Sequence, residues 1–355
     1  MRPIVTILLS ILLLIPITGF AAQPSSAFLL RRGAIVDASR GAAYISKPNG
    51  TIDALDLASG RTLWTSAAAA LPLGASQDVL VAQSEERSPA RKFQIAVLDT
   101  ASGRKLSEAS VTLPEGVRAL VTDEEGKAFR ATAEREGAVF VVSWFYQESP
   151  MEGIAPQSGE PAWRLFAGSA RISAQSGKVI AAEGGAVRDV PARWRTYDSP
   201  PRAPWRAGAA LAQTEGGRGR PLTLKRTEAA TGRELPDQAL SSRALVAVAS
   251  ADERNLLASE QVGEGGPDDP EYQWNIFTLE TGERAGELRR DVSAAPFFVF
   301  SDSVIFESRP HGYLRGDVRV EEPLEIHSVR LSSGVPKWKV ELRDLSYRGP
   351  RPPAH

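Results

Sequence analysis

A short turn motif recurs six times along this chain of 355 residues. Its first copy, in residues 54–64, reads Ala-Leu-Asp-Leu-Ala-Ser-Gly-Arg-Thr-Leu-Trp: an apolar run, then Asp-x-x-Ser-Gly, then a tryptophan four residues after the glycine. The copies are centred on Gly60, Gly103, Gly159, Gly232, Gly282 and Gly334, with spacings of 43, 56, 73, 50 and 52 residues. One copy would be an ordinary hairpin, whereas six at such intervals predict repeated units of several short strands each.

Each residue type in the motif has a mechanical role. The glycine supplies a positive φ, which closes a tight turn without a Cβ clash. The aspartate and the serine or threonine cap backbone N–H groups inside the turn. Three copies place a tryptophan at the same position, namely Trp64, Trp163 and Trp338. We expect each of these rings to be buried where one unit meets the next.

The rest of the chain also favours strands. Thirty glycines and 25 prolines are spread throughout, and short runs of β-branched and aromatic residues lie between Gly, Pro, Asp and Ser, a pattern typical of strands and turns. The predicted class is all-β, a β-propeller in residues 22–347. At roughly 45 residues a blade, about seven blades fit, and six to eight are compatible. The long interval before Gly232 holds either one blade with an insertion or two blades with an eroded motif.

The first copy and the glycine-rich hairpin before it, residues 41–53, resemble the tryptophan-docking repeat of quinoprotein alcohol dehydrogenase-like propellers, also called the PQQ repeat. The resemblance extends over about residues 33–344 and is clearest in the first blade. It implies radially arranged four-stranded blades, in a family of both cofactor enzymes and cofactor-free assembly proteins. The enzymes hold pyrroloquinoline quinone in a central funnel with calcium, a carboxylate base and commonly a disulfide of adjacent cysteines. This chain has no cysteine, and none of its residues matches the calcium ligands or the base, so we assign it to the cofactor-free branch.

The N-terminus predicts export. Residues 1–20 combine Arg2, an apolar run from Ile4 to Ile17, and a small-residue exit, which is the pattern of a secretory signal peptide ending at Ala21. The alternative is an uncleaved anchor helix. No later run reaches about 18 apolar residues, so no stable membrane span is expected after cleavage. The protein is therefore predicted to be periplasmic or extracellular, with residues 348–355 as a disordered tail.

One segment stands out as a partner-binding loop. Residues 188–206 are rich in arginine, proline and tryptophan, residue types that anchor interfaces. The candidate residues are Arg193, Trp194, Arg195, Trp205 and Arg206. The alternative is that both tryptophans are buried in blades and that the arginines only solubilise the surface.

Other candidate sites are weaker. Asp268, Asp269 and Glu271 lie close together, as calcium ligands do, but their spacing matches no EF-hand loop and a solvated acidic turn is the simpler interpretation. A metal site or a catalytic triad would need His311 and His327, which fall in different predicted segments. No catalytic, cofactor-binding or metal-binding residue is therefore assigned.

The sequence favours a binding function over catalysis. With 42 basic and 43 acidic residues, the chain has no net field that would attract nucleic acid. We predict a non-catalytic exported propeller that acts as a binding or assembly scaffold, without a cofactor, for a protein, peptide or glycan partner in the cell envelope. The alternative function is a pyrroloquinoline-quinone-dependent oxidoreductase with degenerate motifs.

Overall fold

The computed structural model describes residues 27–76, 78–84, 91–149, 163–191, 194, 204–217, 220–262, 271–308, 312–315, 318–321 and 323–346. The predicted signal peptide and the predicted C-terminal tail lie outside these residues. The described chain consists of strands and turns, without an α-helix, which confirms the predicted all-β class. In this part of the chain no helix is long and apolar enough to cross a membrane.

The strands form six antiparallel sheets that follow one another along the chain, and we call them blades 1 to 6. Blade 1 has five strands and blades 2 and 3 have four each. Their strands are β1 (Ala27–Arg31), β2 (Ala34–Asp37), β3 (Ala42–Ser46), β4 (Ile52–Asp56) and β5 (Thr62–Ser66); β6 (Leu71–Ser76), β7 (Val79–Gln83), β8 (Lys92–Asp99) and β9 (Lys105–Thr112); β10 (Lys127–Glu136), β11 (Val139–Glu148), β12 (Arg164–Ser173) and β13 (Val179–Val187).

Blades 4, 5 and 6 repeat the four-stranded pattern. Their strands are β14 (Trp205–Ala207), β15 (Ala210–Glu215), β16 (Leu222–Glu228) and β17 (Glu234–Ser241); β18 (Val246–Ala249), β19 (Asn255–Gln261), β20 (Tyr272–Thr278) and β21 (Arg284–Arg290); β22 (Phe297–Phe300), β23 (Ser303–Ser308), β26 (Glu325–Arg330) and β27 (Pro336–Glu341). The hairpin of β24 (Gly312–Arg315) and β25 (Val318–Glu321) is inserted in blade 6.

The turn between the last two strands is the same in all six blades. The glycine N–H donates to the carbonyl oxygen four residues earlier at 2.7–2.9 Å, and the residue at that earlier position donates its own N–H to the carbonyl just after the glycine. The φ of the turn glycine is between +66° and +75° in every blade. These glycines are Gly60, Gly103, Gly177, Gly232, Gly282 and Gly334. The predicted use of glycine is confirmed.

The third turn is not the one that the sequence pattern indicated. It is formed by residues 173–177, with Ser173 in the place of the aspartate, and Ser173 Oγ accepts the N–H of Ser176 at 3.2 Å. Gly159 lies outside the described residues, and Trp163 precedes β12 with 51% of its surface exposed. The described residues thus form six blades, which is within the predicted range of six to eight.

Apolar clusters fill the space between successive blades. The cluster between blades 2 and 3 is the largest, and in it the Phe129 ring stacks on Trp144 and meets Phe93 edge-on. Similar clusters join blades 1 and 2, 4 and 5, and 5 and 6. A further cluster packs Phe298 and Ile305 of blade 6 against Leu30 and Val36 of blade 1, which closes the ring of blades.

Tryptophan joins neighbouring blades at two of these junctions. Trp64 of blade 1 donates its Nε1–H to the Thr100 carbonyl of blade 2 at 2.9 Å, and its ring covers Gly103. Trp338 of blade 6 donates in the same way to the Leu57 carbonyl of blade 1 at 3.1 Å. These two rings lie between blades as expected, although each is only partly buried.

Where the tryptophan is missing, other residues take its place. Pro236 holds the equivalent position in blade 4, and Arg226 of the adjacent strand reaches over it. The Arg226 guanidinium lies against Gly282 of blade 5 and donates to the Glu280 carbonyl at 2.9 Å. In blade 2 the position is Ser107, whose side chain lies directly over Gly177 of blade 3.

The chain after blade 6 returns to blades 1 to 3. Arg343 donates its backbone N–H to the Ser46 carbonyl at 2.9 Å, and the Leu345 carbonyl accepts the N–H of Asp123 at 2.9 Å. The Leu345 side chain packs against Gly33 and belongs to the apolar cluster of blades 2 and 3. This segment supplements the contact of blade 6 with blade 1.

We expect the turns to make stability depend on acid pH. Hydrogen bonds from Ser59 Oγ and N–H lower the pKa of Asp56 below 3.8, and a hydrogen bond from Ser102 Oγ lowers that of Asp99. Because the folded state then binds these protons more weakly than the unfolded state, the stabilisation is complete above about pH 4 and is lost as the pH falls through the folded pKa values.

The Asp56→Asn, Asp99→Asn double variant tests this dependence. Urea unfolding measures the free energy of unfolding of the variant and of the wild type from pH 7 to pH 3. The variant should be less stable by a constant amount near neutral pH, and this difference in free energy should become smaller below about pH 4. A difference that stays unchanged down to pH 3 would contradict the assigned turn contacts.

Candidate functional site

The strand β1 lies at the centre of the ring of blades. It pairs with the inner side of β2, and its Phe28 ring meets Phe298 of blade 6 edge-on at 5.3 Å. On its other sides, β1 borders a cleft of about 400 Å³ towards blades 2 and 3 and a cleft of about 440 Å³ towards blades 4 and 5. The chain's own strand therefore lies between these two clefts.

Two arginines fix the end of β1 and the turn that follows it. Arg31 forms an ion pair with Glu307 of blade 6 at 2.6 Å, and both side chains are largely buried. Arg32 donates to Asp123 Oδ1 at 2.7 Å and to the Val121 carbonyl at 2.6 Å. Burial, followed by the nearby charge of Arg130, lowers the pKa of Arg32 to about 10. Arg32 remains charged at neutral pH because this value is well above 7.

The acidic partner of Arg32 is shared. Asp123 also accepts two hydrogen bonds from Arg130, at 2.6 and 2.7 Å. One carboxylate thus links the turn after β1, the connection between blades 2 and 3, and strand β10. Because Asp123 is engaged by both guanidinium groups, this cluster holds the centre together and does not offer a free carboxylate for catalysis.

The space beside β1 differs from the open funnel that the PQQ-repeat resemblance implies. In that family the quinone lies in the central funnel, and here the corresponding space contains β1 with its Phe28 ring. Within the described residues, no group of three or more His, Cys, Asp or Glu side chains is arranged to hold a metal ion. The chain's own residues at the centre pair with each other instead.

The residues of the predicted partner-binding loop have different environments in the structure. Trp205 begins β14 with only 4% of its surface exposed and packs between blades 4 and 5, as the alternative interpretation had it. Trp194 is half-buried and stacks on Phe145 of blade 3 with ring centroids 6.5 Å apart. Arg206 is exposed at the rim of the cleft of about 440 Å³. Arg193 and Arg195 lie outside the described residues.

The weaker candidate sites are only partly described. His327 Nε2 lies 2.9 Å from Glu325 Oε2, and Lys339 also pairs with Glu325. Glu271 lies 3.4 Å from Arg289. The remaining residues of these predictions, His311, Asp268 and Asp269, are outside the described part of the chain.

The junction between blades 3 and 4 differs from the other five. No apolar cluster of described residues spans it. Ala181 of β13 takes the position of Trp64 and is exposed, and a Cβ on Gly232 would meet no described atom within 4 Å. The outer strand of blade 3 is therefore more open than the others, a feature that the glycine spacing did not reveal.

When the chain is compared with known proteins, the similarities found are to solved structures. No family model matches the chain, and no curated protein is similar in sequence. BamB from Moraxella catarrhalis is 14% identical over 86% of this chain and 74% of its own, with a TM-score of 0.24. A eukaryotic initiation factor is 12% identical over 89% of each chain, with a TM-score of 0.35. A quinohemoprotein alcohol dehydrogenase from Comamonas testosteroni is 7% identical over 91% and 70%, with a TM-score of 0.31.

These likenesses are too weak to bear on function. The propeller fold rests instead on the six repeated turns and on the packing of blade 6 against blade 1.

Proposed function

We propose that this protein is an exported, non-catalytic β-propeller of the cofactor-free branch of the PQQ-repeat family, which binds a protein, peptide or glycan partner in the cell envelope. The observation that carries the proposal is the position of β1. The cofactor enzymes of that family hold the quinone in a central funnel, and here β1, with its Phe28 ring against Phe298 of blade 6, lies in that region. The outer surfaces of the blades are then the surfaces left for recognition.

The location follows from the N-terminal sequence. Residues 1–21 have the pattern of a secretory signal peptide, which directs the chain to the periplasm or the cell exterior. The absence of cysteine from the sequence is compatible with an oxidising compartment, since no thiol needs protection there.

The loop of residues 188–206 remains our proposed contact for the partner, carried by Trp194 and its neighbours Arg193 and Arg195, with Arg206. Trp205 is not part of this surface because it is buried. Trp194 stacks on Phe145, and such a pair contributes about 0.5–1.5 kcal/mol beyond its buried area, so Trp194→Ala should leave the protein folded.

Two measurements test the proposal. The purified protein is first mixed with pyrroloquinoline quinone and calcium, and quinone absorbance and dye-linked alcohol oxidation are recorded. We expect no stoichiometric binding of the quinone and no alcohol oxidation. If binding or oxidation were detected, that result would favour the oxidoreductase function.

The second measurement compares Trp194→Ala with Trp163→Ala, which removes an equally large exposed ring from the same blade. In a pull-down from envelope extract, we expect the partner to be lost with Trp194→Ala and kept with Trp163→Ala. Equal recovery with both variants would exclude this loop as the contact.

A further inference from the structure

Among the described residues, the outer strand of blade 3 is a sheet edge with little charge. β13 (Val179–Val187) is the last strand of its sheet, with no further strand beside it in the described structure. An edge strand presents unpaired N–H and C=O groups, and natural proteins protect it with charges, proline or short length. In β13 nine residues carry one charge, Glu183, and no proline, lysine or arginine.

The other five outer strands are protected. β17, β21 and β27 each contain several charged residues, and β17 and β27 also contain a proline. β9 carries Lys105 and Glu108, which form an ion pair on its surface. β5 is uncharged but has only five residues. The composition of β13 is therefore not a general property of outer strands in this molecule.

The surface of β13 is also unusually open. Its first six residues are all exposed to solvent, and Ile180 exposes 60% of its surface. The surroundings of Gly184 and Gly185 differ. A Cβ on Gly184 would overlap the ring of Trp144, whereas a Cβ on Gly185 would meet no described atom within 4 Å. Glycine at an open position in a strand is typical of a site that another backbone approaches closely.

We propose that β13 receives an extended segment of another protein as a fifth strand of blade 3. This inference rests on the proposed binding function and names one of its contact sites. Main-chain hydrogen bonds would supply affinity, and side chains on alternate positions would supply selectivity. The segment carries small or β-branched apolar residues and one basic residue opposite Glu183, because opposite charges on facing strands attract each other.

The charge of Glu183 argues against a second copy of this chain as the occupant. Glu183 is the central residue of β13. If two copies paired antiparallel along the whole strand, their Glu183 carboxylates would face each other, and like charges directly opposite are destabilising. A basic residue of a different protein removes this conflict.

The test uses a labelled peptide of the same length as β13, in which valine and threonine alternate around a central lysine. Fluorescence anisotropy measures its binding to the full chain. A version with alternate amides N-methylated lacks the main-chain donors, and we expect it to bind at least about tenfold more weakly. Equal binding of both peptides, or no binding of the first, would overturn the proposal.

Matched variants locate the site. Ile180→Lys should weaken binding of the peptide by about tenfold, because a lysine on an edge strand opposes the addition of another strand. Leu106→Lys places the same charge at the equivalent, exposed position of β9 and should have no effect. Glu183→Lys should reverse the preference for a basic peptide. A peptide with glutamate in place of the central lysine should then bind about threefold more tightly than it binds the wild type. Unchanged urea midpoints show that the variants are folded.

Two outcomes separate this inference from the proposed function. Failure of all peptides, together with a pull-down that still depends on Trp194, would remove the β13 site and leave the binding function. Dimerisation of the wild type that Ile180→Lys abolishes would show that a second copy occupies the edge, which would also overturn the proposal.

Discussion

Gly103→Ala is expected to lower the free energy of unfolding by about 3–5 kcal/mol, whereas Gly232→Ala should lower it by only about 1–2 kcal/mol. Both glycines hold the same turn position, with φ of +70° and +71°. A Cβ on Gly103 would lie 2.5 Å from Trp64 Cε3, while one on Gly232 would meet no described atom within 4 Å. The second variant thus measures the backbone cost alone, and the first adds the displacement of Trp64.

A double-mutant cycle separates the two contributions. In the background of Trp64→Ala the ring is gone, so Gly103→Ala should cost only about 1–2 kcal/mol, the cost of a left-handed backbone. Urea unfolding followed by circular dichroism measures all variants. If Gly103→Ala costs as much without Trp64 as with it, the ring does not dock on this glycine.

Asp123→Asn is expected to lower the free energy of unfolding by about 3–5 kcal/mol, because it leaves two partly buried guanidinium groups without their counter-charge. Arg32 and Arg130 both donate to this carboxylate at 2.6–2.7 Å. The amide keeps the shape of the side chain but loses the charge and one acceptor. The loss should appear as a lower midpoint in urea with an unchanged slope.

The neighbouring residue provides the control. Glu124→Gln removes a carboxylate that pairs with Arg118 in an exposed ion pair, and such pairs contribute about 0–1 kcal/mol. Similar losses for Asp123→Asn and Glu124→Gln would show that the central cluster contributes no more than a surface ion pair.

The repeated turn could be predicted from the sequence because its chemistry is local. A glycine with a positive φ and a capping side chain four residues earlier act within a single hairpin, as in residues 56–60. The turn at Gly177 was not recognised because Ser173 replaces the aspartate and no tryptophan follows the glycine. The sequence Ser-Gly followed by Trp163 resembled the motif more closely, although Trp163 is exposed.

The centre of the molecule could not be predicted from local patterns. Arg32 finds its partners 88 to 313 residues away in the chain, and no spacing rule indicates contacts of that length. β1 shows no turn motif, and its apolar residues fit an inner strand and a linker equally well.

The candidate loop shows the same limit. Trp194 and Trp205 have similar arginine-rich and proline-rich neighbours in the sequence. Trp205 begins a strand and packs in a core, whereas Trp194 stacks on a ring of blade 3. Only the positions of Phe145 and of the blade 4 core distinguish them, and both depend on residues distant in the chain.

The return of residues 342–345 to the first blades also sets an order of events in folding. Leu345 is synthesised after all six blades, yet it completes the packing around Gly33 and accepts a hydrogen bond from Asp123. Contacts of such high sequence separation slow the search for the native state, because a long loop must close before they form. The blades at the front of the chain therefore reach their final stability only after residues 342–345 have been synthesised.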